Sequence, residues 1–433
     1  MTPQSTFLII APIRDGHIEG LRTLLRSMNK APGQVDPANS LVPFGRFDRL
    51  HVARFVILEL HTADDIGEYG LPPHEWVPSL AFLGDFDGDG RSFLAELAAH
   101  AGPGLKKIFS FCAGFSGEND LRVWMQAHSI RPRANYVNWL GRTVKQVREE
   151  AALHQSLAAC LEKIVTEVGR DNYRAIRQKL LTHVEIEKAE KRLTLTPPEP
   201  TPLGWLINNW LHKIGVPLLL LLLSPLLLVA APFLAWRLRM LERSDPEIVI
   251  RPEREHIRQL SVLEDHDVTN QFNVLGDVKP GLFRLLLLKT ALLLLDYSTR
   301  HIYNRGYLTR VKSIHFARWV LVDHNRSLFF ASNYDGSLES YMDDFINKVA
   351  WGLNLVFSNG VGYPATRWLL KKGAEQEQHF KYVLRRHQLP SEVWYKAYPG
   401  LTAFDLWRNS LIRQGVEVRQ SSESAIREWL SLI

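Results

Sequence analysis

Cysteine is almost missing from the chain. Cys112 and Cys160 are the only two in 433 residues and stand in unrelated contexts, so neither a disulfide framework nor a cysteine zinc site can be built, and a reducing compartment is expected. Dense basic runs are missing too. Against 46 acidic residues the 52 Lys and Arg leave a net charge of only +6, too dispersed for a nucleic-acid binder and better matched to an anionic membrane surface. The start of the chain, Met1 to Ser5 and then Phe7 to Ile10, has no basic n-region and only a brief apolar run, so no signal peptide is expected and a first strand is. No G-x-S-x-G, P-loop, dinucleotide fingerprint, H-E-x-x-H or CxxC occurs, which leaves the common hydrolase, NTPase and zinc-enzyme chemistries without support.

What is present is an internal repeat, in a chain long enough for two units. Arg14-Asp15-Gly16 matches Lys279-Pro280-Gly281 at an offset of 265, and His51-Val-Ala-Arg54-Phe-Val56 matches His315-Phe-Ala-Arg318-Trp-Val320 at 264. Phe86-Asp87-Gly88, Gly104-Leu105, Phe109-Ser110 and Gly114-Phe115 match Tyr334-Asp335-Gly336, Gly352-Leu353, Phe357-Ser358 and Gly362-Tyr363 at 248. His128, Tyr136, Gly141 and Thr143 match His387, Tyr395, Gly400 and Thr402 at 259. The drop in offset places an extra loop in the first copy, around Thr62 to Pro78. Periodicity predicts strands over Phe7–Pro12, His51–Leu60, Ser79–Phe86 and Leu105–Phe111, with helices over Ile18–Met28 and Ser92–His100. The second copy reads alike, with strands near Gln271–Gly276, Ile314–Val322, Leu328–Asn333 and Leu353–Ser358 and helices over Leu282–Tyr297 and Leu338–Ala350. The order βαββαβ is ferredoxin-like, an α+β unit whose sheet has one open face; two such units can stack sheet on sheet, with a cavity at or beside the interface.

The expected units are residues 1–144 and 261–433, the latter ending in helices, separated by a helical insertion over 145–195 and a Pro-rich linker with a membrane-attaching segment over 196–260. The insertion reads as a solvated helical hairpin. Residues 214–236 carry no charge and are long enough to span a bilayer as one helix. A single crossing would put the two repeat copies on opposite sides of the membrane. Ser224-Pro225 divides the stretch into arms of about ten residues, so a re-entrant or interfacial insertion is expected, with a true span and a buried core helix as the other readings. Lys213, Arg237, Arg239 and Arg243, with Trp205, Trp210 and Trp236, suit two ends resting at one interface, the cytoplasmic one by the positive-inside rule. Lipid contact is therefore assigned to Trp205–Arg243.

Chemistry is harder to locate. Strand alternation puts His51 with Ala53, and His315 with Ala317, on one face and Arg54 or Arg318 on the other; recurrence in both copies favours a structural role, with His as metal ligand the alternative. Asp85-x-Asp87-x-Asp89-Gly90 with Glu96 formally satisfies a calcium loop, although it sits between a strand and a helix, where a turn plus helix cap explains it as well. Glu264-Asp-His-Asp267 reads as a solvated linker. Trp394, Tyr395 and Tyr398, with Tyr136 and Trp139, read as aromatic strands following each unit.

Two fused ferredoxin-like units, an arginine-bearing strand and the following Arg326-Ser-Leu-Phe-Phe330 and helix resemble the dye-decolourising peroxidase group of the dimeric α+β barrel superfamily, over about residues 5 to 120 and 270 to 365. The resemblance implies heme held by a second-unit histidine, here His301 or His315, a distal arginine, here Arg318, and a distal aspartate in G-x-x-D-G. At that last place stand Gly114-Phe-Ser-Gly117-Glu118-Asn-Asp120, with Gly117 where the aspartate belongs. The implied function is a membrane-associated peroxidase oxidising a lipophilic substrate; the alternative is a membrane scaffold that kept the fold and lost the cofactor. Association into oligomers is compatible with either.

Overall fold

The computed structural model describes every residue except 61, 74 and 419–421. It is a mixed α+β structure with several antiparallel sheets. In chain order the strands are β1 (Gln4–Pro12), β2 (Asn29–Ala31), β3 (Gln34–Val35), β4 (Leu50–Leu58), β5 (Ser79–Asp87), β6 (Ala134–Val137), β7 (Thr269–Asp277), β8 (Ile314–Val322), β9 (Ser327–Asp335), β10 (Thr366–Arg367), β11 (Lys371–Lys372) and β12 (Ser391–Lys396). The helices are α1 (Ile18–Arg26), α2 (Ala63–Glu68), α3 (Gly90–Phe109), α4 (Leu121–Ala127), α5 (Val144–Val168), α6 (Tyr173–Ala189), α7 (Leu203–Ser244), α8 (Arg254–Ser261), α9 (Leu282–His301), α10 (Leu338–Phe357), α11 (Glu377–His387), α12 (Ala403–Glu417) and α13 (Glu423–Leu430).

Two four-stranded sheets organise the molecule, with strand orders β1-β5-β4-β12 and β6-β8-β9-β7. One face of each is covered by helices, giving one core under α1 and α3 and another under α9 and α10. On the remaining faces Leu8, Val56, Leu58 and Ala81 meet Leu275, Val320, Phe329 and Ala331 in a shared apolar layer, so each sheet keeps the other dry. The outer strand of each sheet is exchanged. β6 follows α4 in the first half of the chain yet pairs with β8, and β12 follows α11 in the second half yet pairs with β4. On its way across, the chain touches the free edge of β1 through the Ile130 N–H to Leu8 carbonyl bond, and the free edge of β7 through Leu389 N–H to the Asn273 carbonyl, both 2.9 Å.

Two expected strands are absent. Leu105–Phe111 and Leu353–Ser358 belong mainly to the ends of α3 and α10. Pro103-Gly104 looks like a helix stop, but the helix runs through it, and Gly104 is needed for a different reason: a Cβ there would collide with the backbone of Leu41. In α10 the chain passes a kink at Val349 and continues. The aromatic segments after each unit supply the outer strands instead. The insertion is not merely solvated, since Leu153, Leu157, Leu180 and Val184 of α5 and α6 pack with Ile412 and Trp429 of α12 and α13 into a separate core.

The expected break in the apolar segment also fails to appear. Helix α7 is continuous over 42 residues, through Pro217, Pro225 and Pro232. Each proline deprives the carbonyl four residues earlier of its donor. Tyr297 Oη donates to the Lys213 carbonyl freed by Pro217, at 3.3 Å, and Ser224 Oγ to the Leu221 carbonyl freed by Pro225, at 2.7 Å. Ser224-Pro225 thus carries its own repair, and the helix does not turn back there.

Candidate functional site: a closed polar seam and an open apolar helix

The seam between the sheets is where the sequence concentrates its charged and imidazole groups. β-Bulges at Leu50/Val52 and Ile314/Phe316 shift the side-chain phase of the two matching strands. The expected separation of His from Arg is thereby lost: the His51 ring lies 5.4 Å from that of Phe316 in the opposite sheet. His51 Nε2 is 2.9 Å from Asp87 Oδ1 and its Nδ1 is 3.1 Å from Tyr398 Oη. Asp87 Oδ2 accepts the Val144 N–H at 2.8 Å, at the N-terminus of α5. In the second half His315 Nε2 is 2.6 Å from Asp335 Oδ1, and Asp335 Oδ2 accepts the Ala403 N–H at 2.7 Å, at the N-terminus of α12. Each carboxylate ties a strand histidine to a helix N-terminus, where the helix dipole favours negative charge.

The arginines cross the seam. Arg318 donates to the Phe7 carbonyl at 3.2 Å and forms a close ion pair with Asp85, both fully buried. Arg54 donates to the Phe272 carbonyl at 3.3 Å, to Asn273 Oδ1 at 2.9 Å and to Asn333 Oδ1 at 2.6 Å. Burial first, and the repulsion of Arg318 second, pull the Arg54 guanidinium down to about 9.

These contacts decide the fate of the sequence-derived candidates. Arg318 is spent on Asp85 and His315 on Asp335. His301 faces neither sheet: its Nε2 lies 2.9 Å from His212 Nδ1 of α7, where partial burial and the neighbouring His212, Arg300 and Lys213 push it down to about 4. The three residues implied for heme therefore do not converge. Beside His51 and His315 the seam leaves a cavity of about 20 Å³, and a second void of about 30 Å³ between the second sheet and α10 is lined by no histidine. Ligand pockets take ~300 Å³ or more, so the described arrangement does not fit a heme. Glu118 and Asp120 do not repair the missing aspartate either, since both lie outside the seam and Asp120 caps α4 through the Val123 N–H.

The calcium reading gains no support from the same geometry. Asp85 faces Arg318, Asp87 faces His51, Asp89 caps α3 through Ser92 N–H, and Glu96 pairs with Arg49 at 2.5 Å. A loop that wraps an ion needs these oxygens to converge. Among the described residues no group of three or more His, Cys, Asp or Glu is arranged to hold a metal. Sequence reading missed Asp335 as the partner of His315, although its match to Asp87 at the 248 offset was the signal. A wider cleft of about 640 Å³ is lined by Arg22, Arg26, Lys30 and Arg258. Its arginines are engaged: Glu392 lies 2.5 Å from Arg22 and 3.0 Å from Arg26.

Helix α7 is the opposite kind of surface. It is long and apolar enough to cross a membrane, and Leu221, Leu222, Leu226, Leu228, Val229 and Phe233 are all at least 60 % exposed. Each exposed leucine forgoes ~1.5–3 kcal/mol of burial in water. Both helix ends are docked on the folded body. The N-terminal part meets α9 through His212–His301 and the Tyr297–Lys213 bond; at the other end Asp245 receives Lys279 at 2.7 Å and Arg284 at 2.5 Å. Between Lys213 and Glu242 the helix bridges ~44 Å at 1.5 Å per residue.

Comparison with family models, with curated proteins and with solved structures found no match for this chain.

Proposed function

We propose that this protein is a membrane-attached scaffold, an α+β body of two tandem ferredoxin-like units stacked as in the dimeric α+β barrel superfamily, held at the cytoplasmic surface by α7. The carrying observation is the uncharged, exposed stretch Ile214–Trp236, suspended between two ends that are docked on one folded body. Tethered ends on one body favour attachment from one side over a crossing with a unit on each side, which is the demand the repeat makes of the chain. Lys213 at one end and Arg237, Arg239 and Arg243 at the other support an anionic, cytoplasmic interface. The scaffold reading is favoured over a lipid-substrate peroxidase because Arg318 is locked into an ion pair with Asp85, His315 is held by Asp335, and the void beside His51 and His315 has room for only a water or so.

Membrane fractionation tests it. The full chain should stay with membranes through high-salt and alkaline washes and leave only with detergent. A Leu222→Lys/Leu228→Lys variant should shift to the soluble fraction, since each buried charge costs ~2.5–3.5 kcal/mol at a helix centre. A wild-type chain that is soluble and monodisperse without detergent would refute the reading. Protein produced with heme in supply should show no Soret band; a band lost on substituting His301 or His315 would replace the scaffold by the peroxidase.

A further inference from the structure

A second element stands beside the C-terminal end of α7. Strands β10 and β11 form a short hairpin, Thr366↔Lys372 and Arg367↔Lys371, whose tip is Trp368-Leu369-Leu370. Leu369 turns inward, whereas Trp368 and Leu370 are 45 % and 46 % exposed. Arg367, Lys371 and Lys372 rim the tip, all exposed, and among the described residues none of the three is in an ion pair. The acidic groups nearest in the contacts are Glu375, whose Oε2 accepts the Lys372 N–H at 2.9 Å, and Glu242, which is buried.

The tip is held open at a conformational cost. Trp368, Leu369 and Lys372 have φ of 59°, 58° and 61°, a region that L side chains rarely adopt. What holds it is the end of α7 itself. Glu242 accepts the Trp368 N–H at 2.9 Å, the Leu369 N–H at 2.8 Å and the Thr366 hydroxyl at 3.1 Å. Arg239 pairs with Glu242 and lies 5.3 Å from the Trp368 ring centre. On the other leg the buried Asn354 amide donates to the Leu370 carbonyl at 3.1 Å and to the Lys372 carbonyl at 2.9 Å. A strained loop that presents a tryptophan and a leucine to solvent, with Arg367, Lys371 and Lys372 as a basic rim, has the composition of a headgroup-level anchor: aromatic and apolar tip inward, cations at the phosphates.

From this we infer that the β10–β11 hairpin is a second membrane contact, which seats Trp368 and Leu370 in an anionic lipid surface and sets the pose of the body on it. The inference rests on the membrane reading of α7. Purified full-length chain, carried in mild detergent and diluted below its critical micelle concentration, would be titrated with vesicles of phosphatidylcholine alone or mixed with phosphatidylglycerol. Each basic residue near an anionic surface is worth about a fivefold change in binding, so Arg367→Gln/Lys371→Gln/Lys372→Gln should bind the mixed vesicles ~100-fold more weakly and the neutral ones unchanged. Trp368→Ala/Leu370→Ala should weaken binding to both. A wild-type chain that binds neither vesicle removes the membrane reading and this inference together. Binding with no anionic preference, or a triple variant that keeps the wild-type preference, overturns the hairpin alone and leaves α7 as the anchor.

Discussion

Arg54 and Arg318 occupy matching places on β4 and β8 and reach across the same seam, one to the Phe272 carbonyl and the other to its counterpart, the Phe7 carbonyl. What differs is the next acceptor. Arg318 meets the carboxylate of Asp85, whereas Arg54 meets the amide of Asn333 at the equivalent position and, where the first sheet has Leu8, the amide of Asn273. Both cations are taken fully out of water. Only one has a carboxylate in contact. Burial lowers both guanidinium groups; at Arg54 the facing Arg318 adds to that, and Asp85 opposes it without making contact. The seam is therefore a structural device in two grades, a closed ion pair and a guanidinium held by neutral acceptors, and neither grade leaves an arginine free to act on a substrate.

Breaking the two arginines separately gives the largest effect. Arg318→Met strands Asp85 as a buried carboxylate and should cost ~3–5 kcal/mol of unfolding free energy in detergent. Arg54→Met loses hydrogen bonds to neutral groups but also removes a buried charge that no carboxylate contacts, so about 2 kcal/mol or less is expected. Equal costs would show that Asp85 does not distinguish the two sites. A smaller effect should come from giving Arg54 the partner it lacks. Asn333→Asp places a carboxylate where Asn333 Oδ1 now lies 2.6 Å from Arg54, and a gain of ~1 kcal/mol is expected, since the cation is already desolvated. Destabilisation in thermal unfolding would mean that burying the new carboxylate outweighs the attraction.

How far the sequence disclosed this seam depends on the kind of evidence involved. The matching offsets located Arg54, Arg318, His51 and His315 in equivalent strands, and Ile314–Val322 was bounded as the structure has it. Alternation alone could not show that bulges turn both histidines toward the seam, because a bulge leaves no periodic trace. Strand exchange was hidden for a related reason: β6 and β12 read locally as strands after their own units, and nothing local says which sheet will accept them. At Pro103-Gly104 helix α3 runs on past the expected end at His100, and the glycine serves the close approach of the Leu41 backbone. At Ser224-Pro225 the serine that repairs the helix stands beside the proline that would break it. The resemblance to a heme enzyme rested mainly on architecture, and its site residues on their order along the chain, which does not fix whether those side chains share a cavity.

The smallest expected effect concerns the carboxylates that close each end of the seam. Burial pushes the Asp335 carboxyl up, but the His315 imidazole 2.6 Å away, with donors from Thr269 and the Ala403 N–H, outweighs it and leaves the group below the usual aspartate range. A depressed folded-state value means that the unfolded chain binds the proton first as pH falls. The stability contributed by Asp335 is thus fully present above pH ~4 and is lost as acid carries the group through its folded value. In Asp335→Asn that component is gone, so unfolding free energy measured from neutral pH into acid should fall with a shallower slope than in the wild type, by no more than one proton's worth, ~1.4 kcal/mol per pH unit. Parallel slopes would place the acid sensitivity of the seam elsewhere, and the comparison would then turn to Asp87, which holds the equivalent histidine and helix N-terminus in the first half.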